Sequence, residues 1–132
     1  MKVTMMYRKQ LIFWSACAGM LLFGIALITL GSIAPDLREK LNLDDLSAGT
    51  LFSVLPFGIL AGSLLFGPIA DRYGYKILLS VSCFFLSAGF EGIAFASSKN
   101  LITISVFLVG FGGVAINGAT NALVADISKE DK

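Results

Sequence analysis

The sequence predicts an all-α integral membrane protein with four transmembrane helices, and three observations carry that reading. Of its 132 residues, 56% are hydrophobic and 14% charged, where a soluble domain carries about a quarter charged. The charges are segregated: none falls in 11–35 or 46–70, only Glu91 falls in 77–98, and none falls in 101–125. Each run is long enough, because crossing ~30 Å of hydrocarbon takes roughly 20 helical residues. A soluble all-α core is the alternative. It is disfavoured because a buried soluble helix still keeps one polar face, which these runs mostly lack.

The first helix is expected over 11–34. Lys2, Arg8 and Lys9 precede it, as in a signal peptide, but the run exceeds an h-region of ~7–15 residues. Pro35 is also a poor residue to follow a cleavage site after Gly31-Ser32-Ile33-Ala34. A retained helix is therefore predicted. The outer connection 35–49 holds Leu37, Leu41 and Leu43 among charges, which suggests a short helical extension at the membrane surface. Asp44, Asp45 and Ser47 are candidate caps for the second helix, over 50–70, since its first N–H groups need acceptors and its dipole favours negative charge there. Within it, Gly58 and Gly62 form a small-xxx-small step suited to close helix approach. Pro56 is a candidate kink. The link Asp71–Lys76 is so short that the second helix and the third, over 77–97, are expected to be neighbours. Residues 97–100 likewise fold the third and fourth helices, the latter over 101–125, into a hairpin. An up-down helical bundle follows.

Lys and Arg set the predicted orientation. With the N-terminus inside, the inner segments hold Lys2, Arg8, Lys9, Arg72, Lys76, Lys129 and Lys132, against Arg38, Lys40 and Lys99 outside. Both termini are then cytoplasmic. Tyr7, Trp14, Tyr73 and Tyr75 fall near the inner interface, where amphipathic rings settle. Cys17 and Cys83 lie inside the apolar runs without ligand spacing, the chain has no His, and no basic cluster suggests a nucleic-acid partner.

The stretch Gly67-Pro68-Ile69-Ala70-Asp71-Arg72-Tyr73-Gly74-Tyr75-Lys76 carries the most information. As single residues, Asp71, Arg72 and Lys76 read as a solvated turn with basic anchors. The combination asks for more: Gly67 and Gly74 stand where a Cβ would obstruct a tight turn or a close contact, and an anchor would not need the acid. This stretch resembles the G-x-L-A-D-R-x-G-R-K motif that joins the second and third helices of the major facilitator superfamily. Gly67, Ala70, Asp71, Arg72, Gly74 and Lys76 match, Ile69 is conservative, and Tyr75 departs where the family has Arg. The resemblance implies a gating role for Gly67, Asp71, Arg72, Gly74 and Lys76, with Asp71 latching the cytoplasmic side and Arg72 holding Asp71 and a second acid. Asp126 is the candidate second acid: Asp126-Ile127-Ser128 resembles an acidic motif ending the fourth helix of sugar-carrying branches, with Lys129 where Pro is frequent.

On the fourth helix, Gly110, Gly113, Asn117 and Asn121 recur at one helical face. Two amides in hydrocarbon are costly unless paired or facing a wet cavity. They serve either as interhelical hydrogen bonds or as a cavity wall for a polyhydroxylated solute, since an amide offers both a donor and an acceptor. The stretch 110–125 resembles the fourth helix of the fucose-permease-like sugar branch, whose late Asn matches Asn121. The resemblance makes Asn117, Asn121 and Thr29 candidate substrate-binding residues, because the family's cavity is lined by its first and fourth helices. Glu91 is the one acid inside a span, a candidate proton site or, near the outer end, an interfacial residue. Sugar–proton members use acids on helices one and four. Helix one here has no acid and helix four has Asn117, which puts proton coupling in doubt.

The resemblance thus implies part of the N-terminal half of a twelve-helix fold, a sugar permease working by alternating access, multi-pass in a bacterial inner membrane. Its partners would be a sugar-like small molecule, the lipid bilayer and the missing C-terminal helices, without which the chain is expected to be a truncated piece unable to transport alone. Two other classes remain open: a four-helix dimeric multidrug exporter using Glu91, and a non-transporting membrane assembly subunit. No nucleophile–base pair or metal cluster suggests an enzyme, and no cofactor is expected.

Overall fold

Four helices follow one another in the computed structural model: α1 (Lys2–Lys40), α2 (Asp45–Tyr73), α3 (Tyr75–Ala94) and α4 (Lys99–Lys129). Residues 2–129 are described, with side chains from 9 to 128; the side chains of Lys2, Tyr7, Arg8, Lys129 and Lys132, invoked above for orientation and motif matching, lie outside the described residues. All four helices are long and apolar enough to cross a membrane. Trp14, Ile28, Phe57, Leu64 and Phe84 stand exposed around them, as side chains do when hydrocarbon rather than water is the solvent.

The helices outrun the uncharged stretches. α1 continues through Pro35 to Lys40, so the expected surface extension is a direct continuation of the span. Leu37, one turn beyond the hydrocarbon run, is buried with Leu30 and Leu51, and this packing holds the extension in place. The connection to α2 shrinks to 41–44. Asp44 occupies the N-cap with extended backbone (φ −70°, ψ 164°), and its carbonyl accepts from Ala48 N–H at 2.9 Å, but its carboxylate makes no cap bond. The Ser47 hydroxyl, and more weakly Lys99, hold the Asp44 carboxyl below its usual range. Ser47 itself accepts from Lys99 Nζ at 2.9 Å, which ties the start of α2 to the start of α4. Arg38 and Asp45 pair across the same end. α3 stops at Ala94, earlier than expected. Ser98 then opens α4, its carbonyl accepting from Ile102 N–H at 3.2 Å.

Chain direction alternates from helix to helix, so 9–14, 73–76 and 126 gather at one end and 40–45 and 95–99 at the other. α4 is the hub: α1, α2 and α3 each pack chiefly on it. α2 and α3, joined by one residue, do touch, as the short link predicts, but each packs mainly on α4. Glycines permit it. A Cβ on Gly110 would lie 2.5 Å from Leu55 O of α2, and one on Gly112 would lie 2.8 Å from Ser82 O of α3. Gly58 and Gly62 answer from α2, against Phe107 O and Val114 Cγ1. Membrane helices associate by such backbone approach because lipid supplies no hydrophobic drive.

Two apolar clusters result. One, toward the 40–45 end, joins all four helices around Leu30, Leu51, Ile93, Ile102 and Val106. The other, toward the 73–76 end, joins α2, α3 and α4 around Phe66, Leu78, Ala115 and Ala119, with Phe66 and Phe85 set against Phe111 at 4.7 and 5.3 Å between centroids.

Candidate functional site

The motif between α2 and α3 is a hinge of one residue. α2 runs through Pro68 to Tyr73, so Asp71 and Arg72 ride on its last turn, and α3 begins at Tyr75. Gly74 alone turns the chain, with φ +80° and ψ 161°, a conformation open almost only to glycine. Its N–H closes α2 onto Ala70 O at 2.9 Å, and its carbonyl accepts from Leu78 N–H at 3.4 Å to start α3. Asp71, Arg72 and Lys76 are all exposed, and none has an ion-pair partner among the described residues. The Arg72 guanidinium sits 5.6 Å from the Tyr73 ring centroid, a cation–π distance.

The residue that reaches Asp126 is Tyr75, not Arg72. Its hydroxyl donates to Asp126 Oδ2 at 3.4 Å, a long bond that links the start of α3 to the end of α4. The sequence marks Tyr75 only as a departure from the motif, and nothing local pairs two positions 51 apart. Beside this contact, a groove of about 310 Å3 runs between α2 and α4, with Gly67, Ala70, Asp71, Tyr75, Gly118 and Ala122 on its walls. A Cβ on Gly67 or Gly118 would meet nothing within 4 Å. Gly67 therefore faces open space rather than a contact inside the chain.

The expected polar face of α4 divides in two. Gly110 and Gly113 are spent on packing, the first against α2 and the second against the Phe23 ring of α1. Asn117 and Asn121 lie on the arc between the positions that meet α1 (Gly113, Thr120) and those that meet α2 (Gly110, Val114). Asn117 is half-buried and Asn121 exposed, and Asn121 Nδ2 donates to Asn117 Oδ1 at 3.4 Å. Thr29 is not brought to them. It lines a separate groove between α1 and α3, with Ser87 and Glu91. Glu91 is exposed in the last turn of α3, closer to that helix's end than the sequence suggests, because α3 stops at Ala94. No group of His, Cys, Asp or Glu among the described residues is placed to hold a metal ion.

The hinge motif, the apolar spans and the glycine-packed bundle coincide with a family match: residues 16–132 fit the sequence model of the Major Facilitator Superfamily. The chain belongs to the Major Facilitator Superfamily. Among similar proteins is the 4-hydroxybenzoate transporter PcaK of Acinetobacter baylyi, 35% identical over 98 residues, which are 74% of this chain and 21% of that protein. The gentisate transporter of Corynebacterium glutamicum is 29% identical over 104 residues, 79% of this chain and 23% of that protein. The D-xylose transporter of Levilactobacillus brevis is 25% identical over 121 residues, 92% of this chain and 26% of that protein. The chain thus spans about a quarter or less of the length of these curated relatives. No solved structure matches it.

Proposed function

We propose that this chain forms the first four helices of a secondary transporter that carries a small hydroxylated solute by alternating access. The Gly74 hinge supports this reading above all. Asp71, exposed and without an ion-pair partner among the described residues, stands there beside an open groove walled by Gly67 and Gly118 at one end of the bundle. Such a carboxylate can form a charge-assisted latch with a partner helix and release it. Gly67, Arg72, Gly74, Lys76 and Asp126 would set that latch's position: Gly74 by its turn, Asp126 through Tyr75, Arg72 and Lys76 by their charge. The partner surface would come from helices outside this chain, with the hinge and both termini on the cytoplasmic side of a cell membrane, the bacterial inner membrane in a bacterium. Family membership leaves the four-helix exporter and the assembly subunit without support.

Asn117 and Asn121 are the proposed solute contacts, on the arc of α4 left open between α1 and α2. Thr29 stays with them only if the solute path widens toward the α1–α3 groove. A sugar suits paired amides, and the D-xylose transporter is among the similar proteins. The second reading is an aromatic hydroxy acid, favoured by the similarity to 4-hydroxybenzoate and gentisate transporters. Uptake of labelled xylose and labelled 4-hydroxybenzoate, in cells expressing the native gene in full and in cells lacking it, decides between them. Gene-dependent uptake of either supports transport. Dependence on neither, across a panel of sugars and aromatic acids, defeats the proposed substrate class.

A further inference from the structure

At the end of the bundle away from the Gly74 hinge, a groove of about 730 Å3 opens between the last turns of α1 and the first turns of α2. A volume of this order suits a small molecule. Pro35 and the half-buried Phe52 supply apolar wall, and the polar groups are Arg38, Glu39, Asn42 and Asp44. Asn42 is fixed there by its backbone. Its φ of 48° is left-handed, which asparagine tolerates, and its N–H donates to Glu39 O at 3.1 Å. Its side-chain amide has no hydrogen-bond partner among the described residues, and Glu39 has no ion-pair partner among them.

Charge decides what the groove accepts. Glu39 and Asp44 outnumber Arg38 on its walls, and Arg38 is already paired with Asp45. Lys99, nearby, is engaged by the Ser47 hydroxyl at 2.9 Å. Of the two solute classes proposed above, the hydroxybenzoate anion is therefore repelled. A lipid phosphate fares no better, since no unpaired cation lines the groove. A neutral polyol meets no such barrier. The carboxylates accept from its hydroxyls, the Asn42 amide donates and accepts, and the Arg38 fork has donors beyond its contact with Asp45. The apolar face of a sugar ring has Phe52 and Pro35 to lie against.

Gly24, Gly31 and Arg38 recur every seven residues and share one face of α1. A Cβ on either glycine would meet nothing within 4 Å, whereas Gly19 and Phe23 of the same helix meet α4. An open face thus leads from the groove along α1. Asn117 lies between α1 and α2 as well, but it is far down α4, about 27 Å from Lys99 at the helical rise. The groove is a separate station from the amide pair.

We infer that this groove is the entry site for a neutral polyhydroxylated solute, with Arg38, Glu39, Asn42 and Asp44 taking its hydroxyls and Phe52 and Pro35 its apolar ring face. The inference rests on the transport reading and narrows its solute to the sugar class.

The test is equilibrium dialysis of labelled xylose and labelled 4-hydroxybenzoate against the purified product of the native gene in full. Xylose is expected at two sites. Asn121→Ala should weaken one roughly tenfold and leave the other unchanged. Asn42→Gly, which removes the amide and keeps the left-handed turn, should weaken that other site about fivefold. Its unchanged binding at the Asn121 site shows that the fold is intact. Glu39→Gln with Asp44→Asn should keep xylose within about threefold, since amides still meet hydroxyls, and tighten hydroxybenzoate roughly tenfold. A single xylose site that Asn121→Ala weakens and Asn42→Gly does not would overturn the entry site and leave the transport reading standing. Hydroxybenzoate binding that depends on Asn42 and exceeds that of xylose would overturn the neutral-solute assignment. So would Asn42-dependent binding of dihexanoyl phosphatidylethanolamine in place of xylose, which would mark a lipid headgroup site. Binding of neither solute at either site would overturn the entry site and the proposed substrate class together.

Discussion

The Tyr75 hydroxyl donates to the Asp126 carboxylate over 3.4 Å and links α3 to α4 at the hinge end of the bundle. Tyr75 is half-buried, packed against the cluster around Phe66 and Leu78, while Asp126 is exposed. The bond is long and partly wet, so it belongs at the low end of the ~0.5–1.5 kcal/mol range of net hydrogen-bond contributions. Tyr75→Phe, which keeps the ring, is expected to lower stability by about 0.5 kcal/mol in reversible detergent unfolding. Tyr75→Arg, the motif's usual residue, is expected to stay within about 1 kcal/mol of the parent by pairing with Asp126 at an exposed site. A null effect of Tyr75→Phe beside a large loss on Tyr75→Leu would assign the contact to the ring alone.

Gly58 and Gly67 lie nine residues apart on α2 and should behave oppositely. A Cβ on Gly58 runs into the Phe107 carbonyl, backbone that cannot step aside, whereas one on Gly67 meets nothing. Gly58→Ala is expected to cost about 1–3 kcal/mol, as overpacking does. Gly67→Ala should leave the chain as stable or slightly more so, since Ala forms helix better than Gly. If Gly67 faces a partner helix in the complete transporter, the same change should slow transport there. Equal destabilisation by both substitutions would show that the groove beside Gly67 is closed.

Gly74 holds the hinge with a backbone that L residues avoid. Gly74→Ala is expected to destabilise by about 1–3 kcal/mol, measured by the same unfolding assay, although no neighbouring atom would touch the new methyl. The cost is conformational, so Gly74→Ser should match it. A tolerated Gly74→Ala would mean that the chain can turn another way.

The four spans were legible because charge is excluded from hydrocarbon, and gaps between charges cannot be hidden by local context. The ends were not, because a helix need not stop where the membrane does: Leu37 is held beyond Pro35 by burial against Leu30 and Leu51, a long-range contact. The turn at Gly74 was legible from composition, but the arrangement of helices around it was not. A one-residue link limits distance and says nothing about which helix fills the space between. Glycine was the ambiguous letter. Gly110 and Gly113 share a period with Asn117 and Asn121, yet they pack against Leu55 and Phe23, while Gly67, read as a close contact, meets open space. Sequence spacing places residues on a face and does not state what the face meets. Thr29 and Glu91 fell into one groove for the same reason: nothing in either helix alone shows that they converge.

Asp71 is exposed and unpaired in the described chain, so its role in the bundle's own stability should be small. Asp71→Asn is expected to change unfolding free energy by less than about 1 kcal/mol, the ceiling for exposed charges. In the complete transporter the same change should cut turnover roughly tenfold or more, because a hydrogen bond to a charged group contributes about 1.5–3 kcal/mol. Solute binding, measured by equilibrium titration, should stay within a few-fold. Unchanged turnover would remove Asp71 from the gating mechanism.

Asn117 and Asn121 meet across 3.4 Å, so each leaves the other with free donor and acceptor capacity on the open arc of α4. Because an i,i+4 polar pair on one helix contributes only ~0.2–0.5 kcal/mol, Asn121→Ala should barely affect the fold. It should instead weaken solute binding by roughly tenfold, the cost of leaving a solute hydroxyl unmet. Asn121→Asp separates the two substrate readings. A carboxylate at this position repels an anionic hydroxybenzoate but can still accept from the hydroxyls of neutral xylose. Hydroxybenzoate uptake should then fall much further than xylose uptake. If Asn121→Ala and Asn121→Asp both leave uptake of either solute unchanged, the amide pair is packing rather than a solute contact.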